Sequence, residues 1–204
     1  MNRRFVLLAV LVVQLALGAI ARADPESYAP GDLIYIKIPT SFGRAIEEVT
    51  HAPVSHVGVV AQHESGHLTV VHALGTVQEE PIERFLERGK GHFAVARYPF
   101  HAPEDRDRFV AAARALIGLP YDYEFSMTNQ AMYCSELVYR AFQDGLSLIP
   151  VPLHPLTFGA PESESRRVMD RITHGHCPEG TPGISPGDYF AAPAFQLIEN
   201  QLGQ

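Results

Sequence analysis

Apolar residues follow three different patterns along the chain. The first is a largely apolar run over residues 5–20, preceded by Arg3 and Arg4 and closed by Ala21-Arg22-Ala23 before Asp24. A basic start, an apolar stretch and a small-x-small end predict a secretory signal peptide over residues 1–23. The run is short for a membrane anchor, and no Cys follows it to accept a lipid. The expected mature chain, residues 24–204, has 181 residues, the size of a single domain.

The second pattern is β-branched and alternating. Gly31-Asp32 opens residues 33–38, a strand stopped by Pro39. Residues 55–62 and 67–74 flank His63-Glu64-Ser65-Gly66 and predict a hairpin, and residues 94–99 predict a further strand. The third pattern is helical. Phe42, Ala45, Ile46 and Val49 follow a cap at Thr40 or Ser41, and Ile82, Phe85 and Leu86 predict a short helix over 82–88 that stops at Gly89.

A clearer helix is predicted over 103–117, with Pro103 at its start, Glu104 and Asp105 in its first turn, and Phe109, Val110, Ala113, Leu116 and Ile117 as its buried stripe. Another begins near Cys134, carries Leu137, Val138, Ala141 and Phe142 on one face, and stops at Gly145. Residues 118–125 read as a turn-rich connection, and 174–186, rich in Gly and Pro, as a loop. Strands and helices are segregated, which predicts an α+β fold.

Charge narrows the partners. Without residues 1–23 the chain keeps 13 Lys and Arg against 23 Asp and Glu, a formal charge of −10. That balance argues against nucleic acid and against anionic membrane surfaces, and no stable membrane insertion is expected after signal cleavage.

Among candidate chemical groups, Cys134 stands at a helix start, where free backbone N–H groups and the helix dipole favour a thiolate and can hold an oxyanion. His56, at the mouth of a strand, is the candidate base. If the hairpin loop centres on Glu64, His56 faces His72 and Gly58 faces Val70. Val57, Val59, Thr69 and Val71 then take the other face, leaving the two histidines to line a cleft. His72 would orient His56, with Glu79 and Asp122 as substitutes for that role, and a one-residue slip would separate the rings.

Tyr121 is a candidate oxyanion donor, and Tyr133 and Ser135 are candidate cleft-lining groups beside the nucleophile. His174-Gly175-His176-Cys177 lacks a second paired element at ligand spacing, so no metal is expected. A Cys134–Cys177 disulfide is the competing reading of the two cysteines. Closing a loop of 43 residues, it would stabilise a non-catalytic binding module by roughly 3 to 4 kcal/mol.

Gly31-Asp32-Leu33-Ile34, Ser55-His56-Val57-Gly58-Val59, Gly118-Leu119-Pro120-Tyr121-Asp122 and Tyr133-Cys134-Ser135-Glu136-Leu137-Val138 together resemble the YiiX-like group of permuted NlpC-type cysteine hydrolases. Ser185-Pro186-Gly187-Asp188 is similar to the group's short terminal motif. The resemblance implies a permuted papain-like fold with a small antiparallel sheet packed on helices. It also implies Cys134 as nucleophile, His56 as base and His72 as third polar residue, with no cofactor. His at the third position, where related sequences often carry an acid, resembles the lecithin:retinol acyltransferase branch. The expected activity is amide hydrolysis through an acyl-enzyme, in the periplasm, on small peptides or peptidoglycan fragments. Hydrolysis or transfer of an acyl ester or amide of a lipid is the alternative.

Overall fold

The computed structural model describes residues 28–128 and 130–203. The expected signal peptide lies outside the described residues. Eight strands and six helices follow one another in these residues. The main sheet has six antiparallel strands in the order β4-β3-β2-β1-β5-β8: β1 (Leu33–Ile36), β2 (His56–Gln62), β3 (Leu68–Leu74), β4 (Thr76–Pro81), β5 (Phe93–Arg97) and β8 (Gln196–Asn200). β6 (His154–Pro155) and β7 (Pro182–Gly183) form a separate two-stranded pair. The helices are α1 (Ser41–Thr50), α2 (Ile82–Arg88), α3 (Pro103–Arg114), α4 (Cys134–Leu146), α5 (Glu164–Ile172) and α6 (Pro186–Ala191).

Strand alternation divides the core. Leu33, Tyr35, Val57, Val59 and Val71 face α3 and α4, while Ile34, Ile36, Val60 and Val70 face Ile82 and Phe85 of α2. Burial on both faces explains why the central strands lack a polar side. α4 lies against α3 so closely that a Cβ on Gly145 would come within 2.8 Å of the Arg108 carbonyl oxygen.

Gly145 therefore marks the crossing of the two helices, and α4 ends on Ser147 in the left-handed conformation, with φ 53°. α3 stops sooner than its apolar spacing predicts, and Ile117, expected in the buried stripe, is 45% exposed. Ile82–Arg88 and its Gly89 stop match the sequence pattern, and Thr40 is the cap of α1, accepting the Gly43 N–H at 3.1 Å.

The hairpin register differs from the expectation. β2 and β3 pair Val59↔Val71, Val60↔Val70, Ala61↔Thr69 and Gln62↔Leu68, so the loop centres on Ser65. It closes with the His63 N–H donating to the His67 carbonyl at 2.9 Å, and Gly66 takes the positive φ of the turn. The shift is two residues, so every side chain keeps its face.

One buried carboxyl group tests the packing of α4. Glu136 is fully buried, neither carboxyl oxygen has a hydrogen-bond partner, and Arg140 Nε lies 3.5 Å away. Burial pushes the Glu136 carboxyl up to about 8. Its folded-state pKa lies above the unfolded value, so the contribution to stability is complete below about pH 4.5 and is lost as pH rises toward 8. Glu136→Gln should therefore raise stability at pH 8 by about 2 kcal/mol and change little at pH 4. Thermal unfolding at the two pH values measures this, and equal effects at both would contradict it.

Candidate active site

The ladder between β2 and β3 ends at Val59↔Val71, and β3 continues alongside β4 to Leu74. Toward the start of β2 the two strands no longer pair. There the Val57 N–H is directed at the Cys134 sulfur, which also receives the N–H groups of Cys134 and Ser135. No side chain caps α4 at Tyr133, so those first N–H groups remain free for sulfur or for an oxyanion. The nucleophile candidate thus sits where the sheet opens, against the backbone of Val57, the residue that follows His56, while the His56 ring packs on Phe85.

The two histidines meet diagonally. His56 Nε2 lies 2.9 Å from His72 Nδ1, with the rings edge-on and their centroids 5.2 Å apart. Gly58 makes room for this. A Cβ there would stand 3.1 Å from His72 Cβ and 2.4 Å from Val70 Cγ1. The ring of Phe85 packs on both imidazoles, at 5.7 Å from His56 and 5.0 Å from His72.

Beyond His72 stands Glu80, whose Oε1 is 3.0 Å from His72 Nε2, although the ring N–H direction is not aligned for a hydrogen bond. Arg88 binds both Glu80 oxygens, at 2.7 and 2.8 Å. Glu80 was not among the residues singled out from sequence. Its neighbour Glu79 was, and strand parity sends that side chain to the opposite face, where it binds Arg114 at 2.6 and 2.8 Å and accepts from Thr69. Once β4 is recognised, its alternation puts residue 80 on the face shared by positions 70 and 72. Asp122 is elsewhere too: it accepts from the Glu124 and Ser126 N–H groups and shapes the loop before α4.

Protonation states follow from burial. His56 is held well below the usual imidazole range, first by burial and then by His72 and Arg88. His72 is pushed down to about 3 by burial and by Arg88. Burial also pushes the Cys134 thiol up to about 11, outweighing the N–H groups that favour its thiolate. The helix start alone predicts a lowered thiol; the enclosed position reverses the sign. The resting pair is a neutral thiol and a neutral imidazole, with no hydrogen bond between them.

The remaining candidates, Tyr121, Tyr133 and Ser135, all line one cavity beside Cys134. Tyr121 lines the cavity at Cys134 and feels the sulfur electrostatically, brought there by backbone bridges of Pro120 to Thr76 and of Tyr121 to Met132. Tyr133 donates its hydroxyl to Met127 sulfur at 3.2 Å and accepts from the Ile184 N–H, and Ser135 donates to the Ile184 carbonyl at 2.8 Å. Both residues line the same cavity, and the Ser135 side chain also hydrogen-bonds the Cys134 sulfur. Contrary to expectation, neither His56 nor His72 lines that cavity; Ile46, Val49, Phe125, Leu156, Phe158 and Met169 do.

Three of those residues, Leu156, Phe158 and Met169, come from residues 148–173, to which the sequence pattern assigns no element, and Met169 lies on α5. Both cysteines are free, so the Cys134–Cys177 bridge does not form; Cys177 pairs with Thr173 and Asp170 instead. Ser185 and Asp188 form a capping box at α6, with Asp188 also accepting from His154 at 2.8 Å. Among the described residues no three His, Cys, Asp or Glu side chains converge to hold a metal ion.

A helix-start cysteine seated in the opening of an antiparallel sheet, with histidine earlier in the chain than cysteine, defines a permuted papain-like protein. The chain belongs to the family described as permuted papain-like amidase enzymes of the YaeF/YiiX type, whose pattern matches residues 27–199. It is 30% identical over 120 residues to the uncharacterised protein YiiX of Escherichia coli strain K12, a stretch covering 58% of this chain and 59% of that relative. A crystal structure titled metalloprotein YiiX, from Escherichia coli O157:H7, superposes with a TM-score of 0.76 at 25% identity, covering 84% of this chain and 96% of the other.

The neutral resting pair predicts that alkylation of Cys134 by iodoacetamide keeps accelerating as pH rises through 9 toward 11. A plateau already reached by pH 7, followed by mass spectrometry of the modified peptide, would show a preformed ion pair instead.

Proposed function

We propose that this chain is an exported cysteine amidase that cleaves its substrate through an acyl-enzyme on Cys134. The observation that supports it most is the seat of the Cys134 sulfur, among free N–H groups at an uncapped helix start and beside the residue that follows His56. Substrate binding aligns the thiol with His56, a contact that is commonly long before substrate is bound. His56 takes the thiol proton as sulfur attacks the amide carbonyl. The oxyanion rests on the Cys134 N–H, with Tyr121 as second donor, and His56 then returns the proton to the leaving amine. Water, deprotonated by His56, releases the acid and regenerates the thiol.

The cavity bears on the substrate. Its wall beside the sulfur is apolar, from Ile46 and Val49 on α1 to Phe158 and Met169. Such a wall favours an apolar acyl group on the carbonyl side of the scissile bond over the carboxylate-bearing peptides of a cell wall. The lipid-type acyl amide or ester therefore moves ahead of the cell-wall peptide. The second reading keeps the support of the N-terminal export signature, residues 1–23, and of a periplasmic location.

YiiX of Escherichia coli O157:H7 is described as a metalloprotein. In this chain His56 and His72 engage each other and two arginines crowd Glu80, which does not fit a cation there. No step passes through a metal.

Fatty acyl amides and muropeptides, assayed side by side, discriminate the substrates: the acyl amides are expected to be hydrolysed. Cys134→Ala should lower turnover by roughly a thousandfold or more with the fold intact. Hydrolysis of muropeptides alone would restore the cell-wall reading, and native activity in Cys134→Ala would exclude cysteine chemistry.

A further inference from the structure

Glu80 ends the line of groups that begins at His56 and passes through His72, and the elements around it converge on its buried carboxylate. Arg88 binds both oxygens, Arg84 Nε lies 3.3 Å from Oε2, and His72 Nε2 lies 3.0 Å from Oε1. Arg84 and Arg88 are one helical turn apart on α2, so both reach the same carboxylate. Phe85, between them in sequence, holds the two imidazole rings in place. The charged and titratable groups gathered at this carboxylate are thus His72 from β3, with His56 from β2 behind it, and Arg84 and Arg88 from α2; Tyr28 and Glu199, on the same side of the sheet, bind each other.

The carboxylate decides where the ring hydrogens sit. A bare ring nitrogen 3.0 Å from a carboxylate oxygen would set two lone pairs against each other, so His72 Nε2 carries a hydrogen, even without a well-aligned bond. A neutral imidazole has one N–H, which makes His72 Nδ1 an acceptor. That atom is the one facing His56 Nε2 at 2.9 Å, so His56 carries its hydrogen at Nε2. The lone pair left over is on His56 Nδ1.

We propose that Glu80, clamped by Arg84 and Arg88, is a positioning residue that fixes the tautomers of His72 and His56 and so makes His56 Nδ1 the base. The inference rests on the reading of Cys134 as nucleophile and His56 as base. In the attack step the proton leaves Cys134 Sγ for His56 Nδ1 while sulfur bonds to the carbonyl carbon. The imidazolium keeps its Nε2–H on His72, with Glu80 as the nearest negative charge. The same proton departs with the leaving amine, and His72 and Glu80 end as they began.

Nitrogen-15 spectra of the histidine rings, recorded on the native protein at pH 7, test the assignment directly. Both rings should be protonated at Nε2 and bare at Nδ1; a hydrogen on His56 Nδ1 would overturn the proposal. Glu80→Gln should release His72 from a single tautomer and lower turnover of a fatty acyl ester at pH 7 roughly tenfold or more, with Glu80→Asp recovering part of the rate. Should Glu80→Gln fail to fold, Arg88→Ala, at a residue 29% exposed, is expected to shift both readouts in the same direction by a smaller amount. Ring signals and turnover unchanged in the folded variants would remove Glu80 from the mechanism. His56→Ala separates the two levels: turnover at the native rate in that variant means that the base assignment itself fails, whatever Glu80 does.

Discussion

The contact between two imidazole rings, 2.9 Å apart across β2 and β3, is the constraint around which this molecule is arranged. Two buried rings can share one hydrogen bond only if the backbone beneath them is bare, their outer faces are covered and their remaining nitrogens are accounted for. Gly58 supplies the bare backbone, Phe85 the cover and Glu80 the outer partner. All three requirements fall on one stretch of chain, from β2 through α2. The fold then brings the helix start bearing Cys134 to the place where β2 and β3 stop pairing.

Burial gives this site a resting state different from the one a helix start alone would produce. The dipole and free N–H groups at Cys134 favour a thiolate, yet enclosure in the core raises the thiol above its ordinary range and lowers both histidines. Desolvation wins because every charged form in the group is penalised at once, while only a few N–H groups act in the other direction. Both members of the resting pair are neutral, and the cavity wall beside the sulfur is apolar.

Much of this was legible in the sequence. Period-two and helical spacing located the central strands, α2, and the two helices that pack on them, because those segments bury one stripe or both faces. The face shared by His56 and His72 was also readable, since a two-residue register shift preserves parity; the register itself was not, because the five-residue turn at 63–67 has no composition that fixes its centre. β4 escaped notice: Thr76-Val-Gln-Glu-Glu-Pro81 is mostly polar, and without it Glu79 drew attention in place of Glu80. The second wall of the cavity, from Leu156 to Ile184, comes partly from the two-residue strands β6 and β7, too short for periodicity to mark, and partly from α5, whose amphipathic spacing at Ser165, Val168 and Met169 was legible but was not singled out.

The central claim is that an acyl group passes through Cys134 under the control of His56. Intact-protein and peptide mass spectrometry of the chain, quenched in acid during turnover of a fatty acyl ester, tests it most directly. The account predicts an added mass equal to the acyl group on the peptide that contains Cys134, and its absence in His56→Ala. Product release with the acyl group on another residue, or an undiminished Cys134 adduct in His56→Ala, would contradict it.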